Sequence, residues 1–155
     1  VELPNGKKAA REIVLHPGAV AVVALTLDNE VLMVRQYRKA VETTLLEIPA
    51  GKIEQGEPIE ECAQRELMEE TGFCAGDLIY LTGIYTSPGF SNEIIHIFLA
   101  KNLSAKYSEP DDDEFIEVVK LGFEDAVGRA LAGEFRDAKT LTGLLTAYHY
   151  LKGVL

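Results

Sequence analysis

Apolar positions along this chain come in short runs whose spacing changes at definite points. From Ala19 to Leu27 valine and alanine dominate, Asp28 and Asn29 supply turn residues, and Val31 to Val34 resumes the apolar run, a pattern that predicts a β-hairpin. Leu45 to Ile48 reads as another short strand, closed by Pro49 and Gly51. After Pro58 the period becomes helical, with Glu60 and Glu61 in the first turn, where the helix dipole favours acids, and Gly72 as the stop. Leu78 to Tyr85 and Ile94 to Leu99 return to strand-like patterns. An acidic loop from Ser108 to Glu114 precedes a strand at Phe115 to Leu121, and two helices, Phe123 to Ala132 and Ala138 to Leu151, follow on either side of Gly133. Strands with helices inserted and appended predict an α/β sandwich, a mixed sheet flanked by helices. No repeat or linker divides the pattern, so a single domain over residues 1–155 is expected.

Composition narrows the function classes. The chain has 155 residues with 47% hydrophobic and 26% charged side chains, the balance of a packed globular domain. Fifteen Lys and Arg against 25 Asp and Glu give a net charge of −10, which argues against a nucleic acid as partner and leaves a small phosphorylated ligand possible if cations mediate. Cys62 and Cys74 have neither disulfide-framework nor C-x-x-C spacing, so a reducing cytoplasm is expected. The run from Gly18 to Leu27 is too short to span a membrane, and no basic-then-apolar leader precedes it. The first residue is Val1, not methionine, and we expect the natural protein to start earlier.

The helix after Pro58 carries the strongest chemical signal. At about 100° per residue, Ile59, Cys62, Ala63 and Leu67 share one face, and Glu66 and Glu70 fall within it while Glu69 lies at its margin. Carboxylates in line with a buried stripe are costly to desolvate unless a cation neutralises them. Oxygen donors converging at one helix end suit a hard divalent cation; a solvated acidic helix end is the other reading of the same residues.

The run Gly51-Lys52-Ile53-Glu54-Gln55-Gly56-Glu57, then Pro58 to Gln64, then Arg65-Glu66-Leu67-Met68-Glu69-Glu70-Thr71-Gly72-Phe73 resembles a complete Nudix box, with Gly51, Glu57, Arg65 and Gly72 at its structural positions. The resemblance implies a Nudix-type α/β/α sandwich. Its helix would present Glu66, Glu69 and Glu70 to Mg2+, with Mn2+ as the alternative, and the carbonyl of Ala50 would serve as a further ligand. The implied reaction is hydrolysis of a nucleoside diphosphate linked to another group, with a metal-activated water.

Pro88 stands sixteen residues beyond Gly72, within Thr86-Ser87-Pro88-Gly89-Phe90-Ser91-Asn92-Glu93. Together with Val34-Arg35-Gln36-Tyr37-Arg38 and Glu47-Ile48-Pro49-Ala50-Gly51-Lys52, it resembles the ADP-ribose pyrophosphatase branch of the family. That resemblance implies ADP-ribose as small-molecule substrate, contacted by Arg11, Glu12, Arg38, Ser87, Pro88, Gly89 and Glu93, and a homodimer. Another nucleotide sugar or a dinucleotide remains a second reading. A non-catalytic ADP-ribose sensor is a third, against which the intact Glu66, Glu69 and Glu70 argue.

The branch also places a catalytic carboxylate in the loop before a late strand. Here Glu114, adjacent to Phe115, is the first choice for general base, Asp112 the second, and Glu69 the fallback within the box. His16, His96 and His149 have no partner at ligand spacing and read as structural or surface residues. Cys62, on the buried helix face, reads as a small core residue.

Overall fold

The computed structural model describes residues 1–106 and 116–153. Ten elements follow in order: β1 (Ala19–Leu25), β2 (Glu30–Arg38), β3 (Thr43–Glu47), β4 (Ala50–Lys52), α1 (Ile59–Thr71), β5 (Phe73–Tyr85), β6 (Ile94–Ala105), β7 (Glu117–Gly122), α2 (Phe123–Leu131) and α3 (Ala138–Leu151). The hairpin, the helix after Pro58 and the two last helices stand where the apolar pattern predicts them.

The seven strands form one mixed sheet with the path β3-β2-β1-β6-β5, to which β4 adds by pairing with β1 and β7 by pairing with β2. Among the pairs of described strands, the central β1–β6 pair is parallel and the others are antiparallel. Strand alternation divides the core in two. Val20, Val22 and Ala24 of β1 turn to one face and pack with Leu32, Phe98 and the Cys62, Ala63 and Leu67 side of α1. Ala19, Ala21, Val23 and Leu25 turn to the other and pack with Met33, Ile97 and Leu99 beneath Phe123, Ala126, Val127 and Leu144 of α2 and α3. β1 is buried along its whole length because helices cover both faces at its position.

Several strands run longer than the sequence pattern suggests. β5 begins at Phe73, not Leu78, because Phe73 to Ala75 pair with Leu103 to Ala105 at the far end of β6. β4, which the pattern gives only as a turn, is made by Ala50, Gly51 and Lys52 pairing with Ala21, Val20 and Ala19. α1 ends at Gly72 with φ 75, a left-handed conformation that glycine adopts without a Cβ penalty, and the Gly72 N–H donates to the Met68 carbonyl. Among the described residues no helix is long and apolar enough to cross a membrane.

Candidate active site

α1 delivers its carboxylates to the strand it packs beside. Glu70 is 8% exposed and accepts a hydrogen bond from the Ala50 N–H at 2.9 Å. A Cβ built on Gly51 would overlap the carboxyl group of Glu66, so the absence of a side chain there lets that carboxylate lie against the backbone of β4. Glu66 and Glu70 therefore meet the Ala50–Gly51 segment from one helix, four residues apart, as the facial geometry predicts. Ala50, expected to offer its carbonyl to a cation, lies on this segment with its amide bonded to Glu70.

Arg65 organises the remainder of the box. Its Nε donates to Oε1 of Glu57 at 2.8 Å and its Nη2 to Oε2 of Glu57 at 2.9 Å, a planar fork on a carboxylate. Nη2 also donates to the Lys52 carbonyl at 3.1 Å, tying the helix to β4, while Nη1 reaches Glu66 at 2.8 Å and Glu69 at 3.0 Å. The Arg65 fork, assisted by the Glu54 N–H, holds the Glu57 carboxyl down at about 2. Burial, with Glu57 beside it, pushes the Cys62 thiol up to about 12, and it donates to the Lys52 carbonyl; it packs and does not react.

Glu57, Glu66 and Glu69 share one guanidinium, Arg65, and with Glu70 they give the box an excess of negative charge; two of these carboxylates, Glu66 and Glu70, lie at the Ala50–Gly51 segment. That is the chemistry of a hard divalent cation. Among the described residues no three His, Cys, Asp or Glu side chains converge tightly enough to cage an ion alone. Magnesium asks for less than a cage, since it is usually held by one or two carboxylates together with water and substrate phosphate. The residues present fit such an ion.

A cavity of about 430 Å³ opens beside this segment, lined by Ala50, Gly51 and Lys52, by Arg38, Thr86, Ser87 and Glu93, and by His16, Asp137 and Lys139. Three of the residues expected to contact substrate, Arg38, Ser87 and Glu93, thus share one wall system with Ala50 and Gly51. Arg11, Pro88 and Gly89 line a second recess of about 330 Å³ on the same 86–93 loop, with Tyr85 and Phe90. Glu12 is exposed and lines neither. Glu114 and Asp112 lie outside the described residues.

The cavity also contains groups the sequence does not reveal as site residues. His16 is one. Its Nδ1 accepts from the Gly18 N–H at 3.1 Å, which puts the ring proton on Nε2, and Nε2 faces Oε1 of Glu93 at 3.4 Å. The other Glu93 oxygen accepts from the Thr86 hydroxyl at 2.6 Å. His16 is therefore part of the cavity wall and not a plain surface residue. Behind the cavity wall lies Glu47, 1% exposed, which receives Arg38 on both oxygens, Nε at 2.9 Å and Nη2 at 2.7 Å, and also Lys139. Burial alone would push the Glu47 carboxyl up; the hydrogen bonds and charges of Arg38 and Lys139 outweigh it and hold it low.

Residues 15–144 match the family model of the NUDIX domain. An ADP-ribose pyrophosphatase of Bacillus subtilis (strain 168) is 54% identical over 142 residues, 90% of this chain and 77% of that protein. A methanol dehydrogenase activator of Bacillus methanolicus is 48% identical over 143 residues, 91% of this chain and 77% of that protein. Among solved structures, an ADP compounds hydrolase superposes with a TM-score of 0.85 at 28% identity, covering 99% of this chain and 83% of that one. With a sheet, a carboxylate-bearing helix and a glycine turn all arranged as the Gly51–Phe73 motif implies, and with relatives matching along most of its length, the chain belongs to the Nudix family.

Proposed function

We propose that the protein is an ADP-ribose pyrophosphatase: a Nudix hydrolase that adds water across the diphosphate of ADP-ribose, breaks one P–O bond of the bridge, and releases AMP and ribose 5-phosphate. The observation that carries this reading is the cavity that joins Arg38, Ser87 and Glu93 to the Ala50–Gly51 segment beside the box carboxylates. The 54% identity to a protein of that name supports the substrate.

Glu66, Glu70 and Glu69, with the Ala50 carbonyl, would hold the cation, which we take to be Mg2+, and Mn2+ would suit the same donors. When bound, such an ion supplies charge neutralisation for the diphosphate and acidifies the attacking water. Arg38 presents guanidinium donors not used by Glu47 to the phosphate oxygens, and a planar fork suits that task better than a point charge. Glu93, oriented by His16 and Thr86, takes a ribose hydroxyl, and Arg11 with the Pro88–Gly89 turn, and Glu12 near it, bounds the outer end of the substrate. Glu114 takes the proton of the attacking water, with Asp112 as the second candidate.

Hydrolysis of ADP-ribose, other nucleotide sugars, NADH and diadenosine polyphosphates, each with and without magnesium, tests the assignment. We expect kcat/KM for ADP-ribose to exceed the others by about tenfold or more, loss of activity in EDTA, and recovery on adding Mg2+. A dinucleotide or another nucleotide sugar turned over faster than ADP-ribose overturns the substrate assignment.

The protein also acts as a homodimer. Ile13, Tyr85 and Phe90 line the outer recess while strongly exposed, and Val14 and Leu15, next along the chain from Ile13, are exposed as well. Sedimentation equilibrium should give twice the chain mass, and Phe90→Asp should shift it toward monomer. A monomer at every concentration sinks the dimer.

A further inference from the structure

The residues that open α3 are tied to the strand that feeds the metal side of the site. Asp137 caps the helix, accepting from the Thr140 N–H at 2.9 Å and from the Thr140 hydroxyl at 2.6 Å. The Thr140 hydroxyl oxygen accepts the Ile48 N–H at 3.0 Å. Lys139, 8% exposed, bonds to Glu47 and stands 3.0 Å from the other Asp137 oxygen. Two residues on from Ile48, the Ala50 N–H donates to Glu70 of α1. The 47–50 segment is thus gripped by α3 on one side and by the box helix on the other, and Arg38 hangs on Glu47 at the cavity wall.

We propose that Lys139 is a positioning residue for Arg38, acting through Glu47, and that it sets the charge of the wall that receives the diphosphate. Arg38, Asp137 and Lys139 all line the cavity, and Glu47 lies directly behind Arg38. With Lys139 present, two cations face two carboxylates, and the outward donors of Arg38 remain available to an anion. Without it, Glu47 and Asp137 face Arg38 alone. The wall then carries net negative charge, and the guanidinium, already forked on both oxygens of Glu47, has its charge taken up by two unneutralised carboxylates instead of being offered to the ligand. A packing contact between α3 and the sheet would need neither a buried ammonium nor its approach to Glu47, and an apolar residue would serve there at least as well.

The proposal rests on the reading that this cavity takes a nucleoside diphosphate, so the test has two readouts: ADP-ribose kinetics, and binding of ADP by calorimetry. Lys139→Met should raise the KM for ADP-ribose and the Kd for ADP by roughly tenfold. We expect kcat to stay within about threefold of the parent, because the loss lies in holding the ligand. Lys139→Arg should recover most of the affinity, since it restores the charge. In an Arg38→Met background, Lys139→Met should add less than about twofold, the mark of two residues acting as one unit. Lys152→Met, which breaks the exposed Lys152–Glu124 pair at the far end of α3, should leave both readouts unchanged. If Lys139→Met leaves a buried charge that prevents folding, Lys139→Gln, which keeps a hydrogen-bond donor for the Glu47 carboxylate while removing the positive charge, carries the same expected rise in KM and Kd.

Unchanged KM and Kd with a lowered Tm would make Lys139 a structural residue only and overturn the proposal. Full additivity with Arg38→Met would overturn its action through Arg38. If the parent protein binds ADP but does not hydrolyse ADP-ribose, the functional reading falls while the ADP arm still decides the role of Lys139. If ADP does not bind at all, both fall.

Discussion

Glu70→Gln should lower kcat for ADP-ribose by roughly two orders of magnitude or more, with little change in Tm. The reasoning starts from what glutamine preserves. Its side-chain oxygen can still accept the Ala50 N–H, so the bond between α1 and β4 survives, and Cys62, Ala63 and Leu67 still pack against the sheet. What disappears is one negative charge at a nearly buried position among oxygen donors, and with it a large part of the attraction for a divalent cation. Glu66→Gln should be comparably damaging, because that carboxylate lies against Gly51 at the same segment. Glu69→Gln should cost less, since Glu69 is more exposed and at the margin of the face. In the same series Glu114→Gln should lower kcat strongly while barely moving KM, as expected of a group acting in the transition state, and Asp111→Asn should do little. The measurement is kcat at saturating Mg2+ for each amide variant. Near-normal rates for Glu66, Glu69 and Glu70 variants alike would remove the metal site, and an Asp112→Asn variant worse than Glu114→Gln would move the general base two residues earlier.

The parts of this protein that could be read from the chain are those that local physics decides. α1 is legible because its apolar period, its first-turn acids and its left-handed stop at Gly72 all lie within one stretch of sequence. α3 is legible from its run of apolar residues after Gly133, down to its bounds at Ala138 and Leu151, and the structure adds Asp137 as its cap. β4 is not, because three residues with a glycine among them carry no strand signal until β1 pairs with them. The start of β5 is hidden likewise, since Phe73 to Ala75 become strand only through the end of β6. At the site, the carboxylates of the box follow from helical geometry, but Glu47 and Lys139 are 92 residues apart and no spacing rule connects them. The one hint was a glutamate inside the apolar run Leu45 to Ile48. A charge in such a place needs a buried partner, and the chain does not say which lysine supplies it. His16 was hidden in the same way, its acid partner Glu93 lying far along the chain.

Gly51→Ala should abolish most of the activity while leaving a folded protein, and its physical cause differs from that of the glutamate variants. The backbone of Gly51 takes part in the β4–β1 pairing and has an ordinary strand conformation, so alanine meets no conformational barrier there. The obstacle is on the other side. A methyl group at this position would occupy the volume of the Glu66 carboxylate. Glutamate is long and flexible and its carboxyl end is bonded to the equally flexible Arg65, so the cheapest response is rotation of Glu66 away from β4 and not a shift of the strand. The charge count of the site is then intact, but one carboxylate no longer lies at the Ala50–Gly51 segment, and a ligand displaced by an ångström can cost about a hundredfold in rate. We therefore expect kcat to fall by about that factor, Tm to change by only a few degrees, and the Mg2+ concentration needed for half-maximal rate to rise. The last of these separates displacement from damage. A variant that loses activity with an unchanged magnesium requirement, or one that unfolds, would mean that Gly51 serves the strand and not the seat of Glu66.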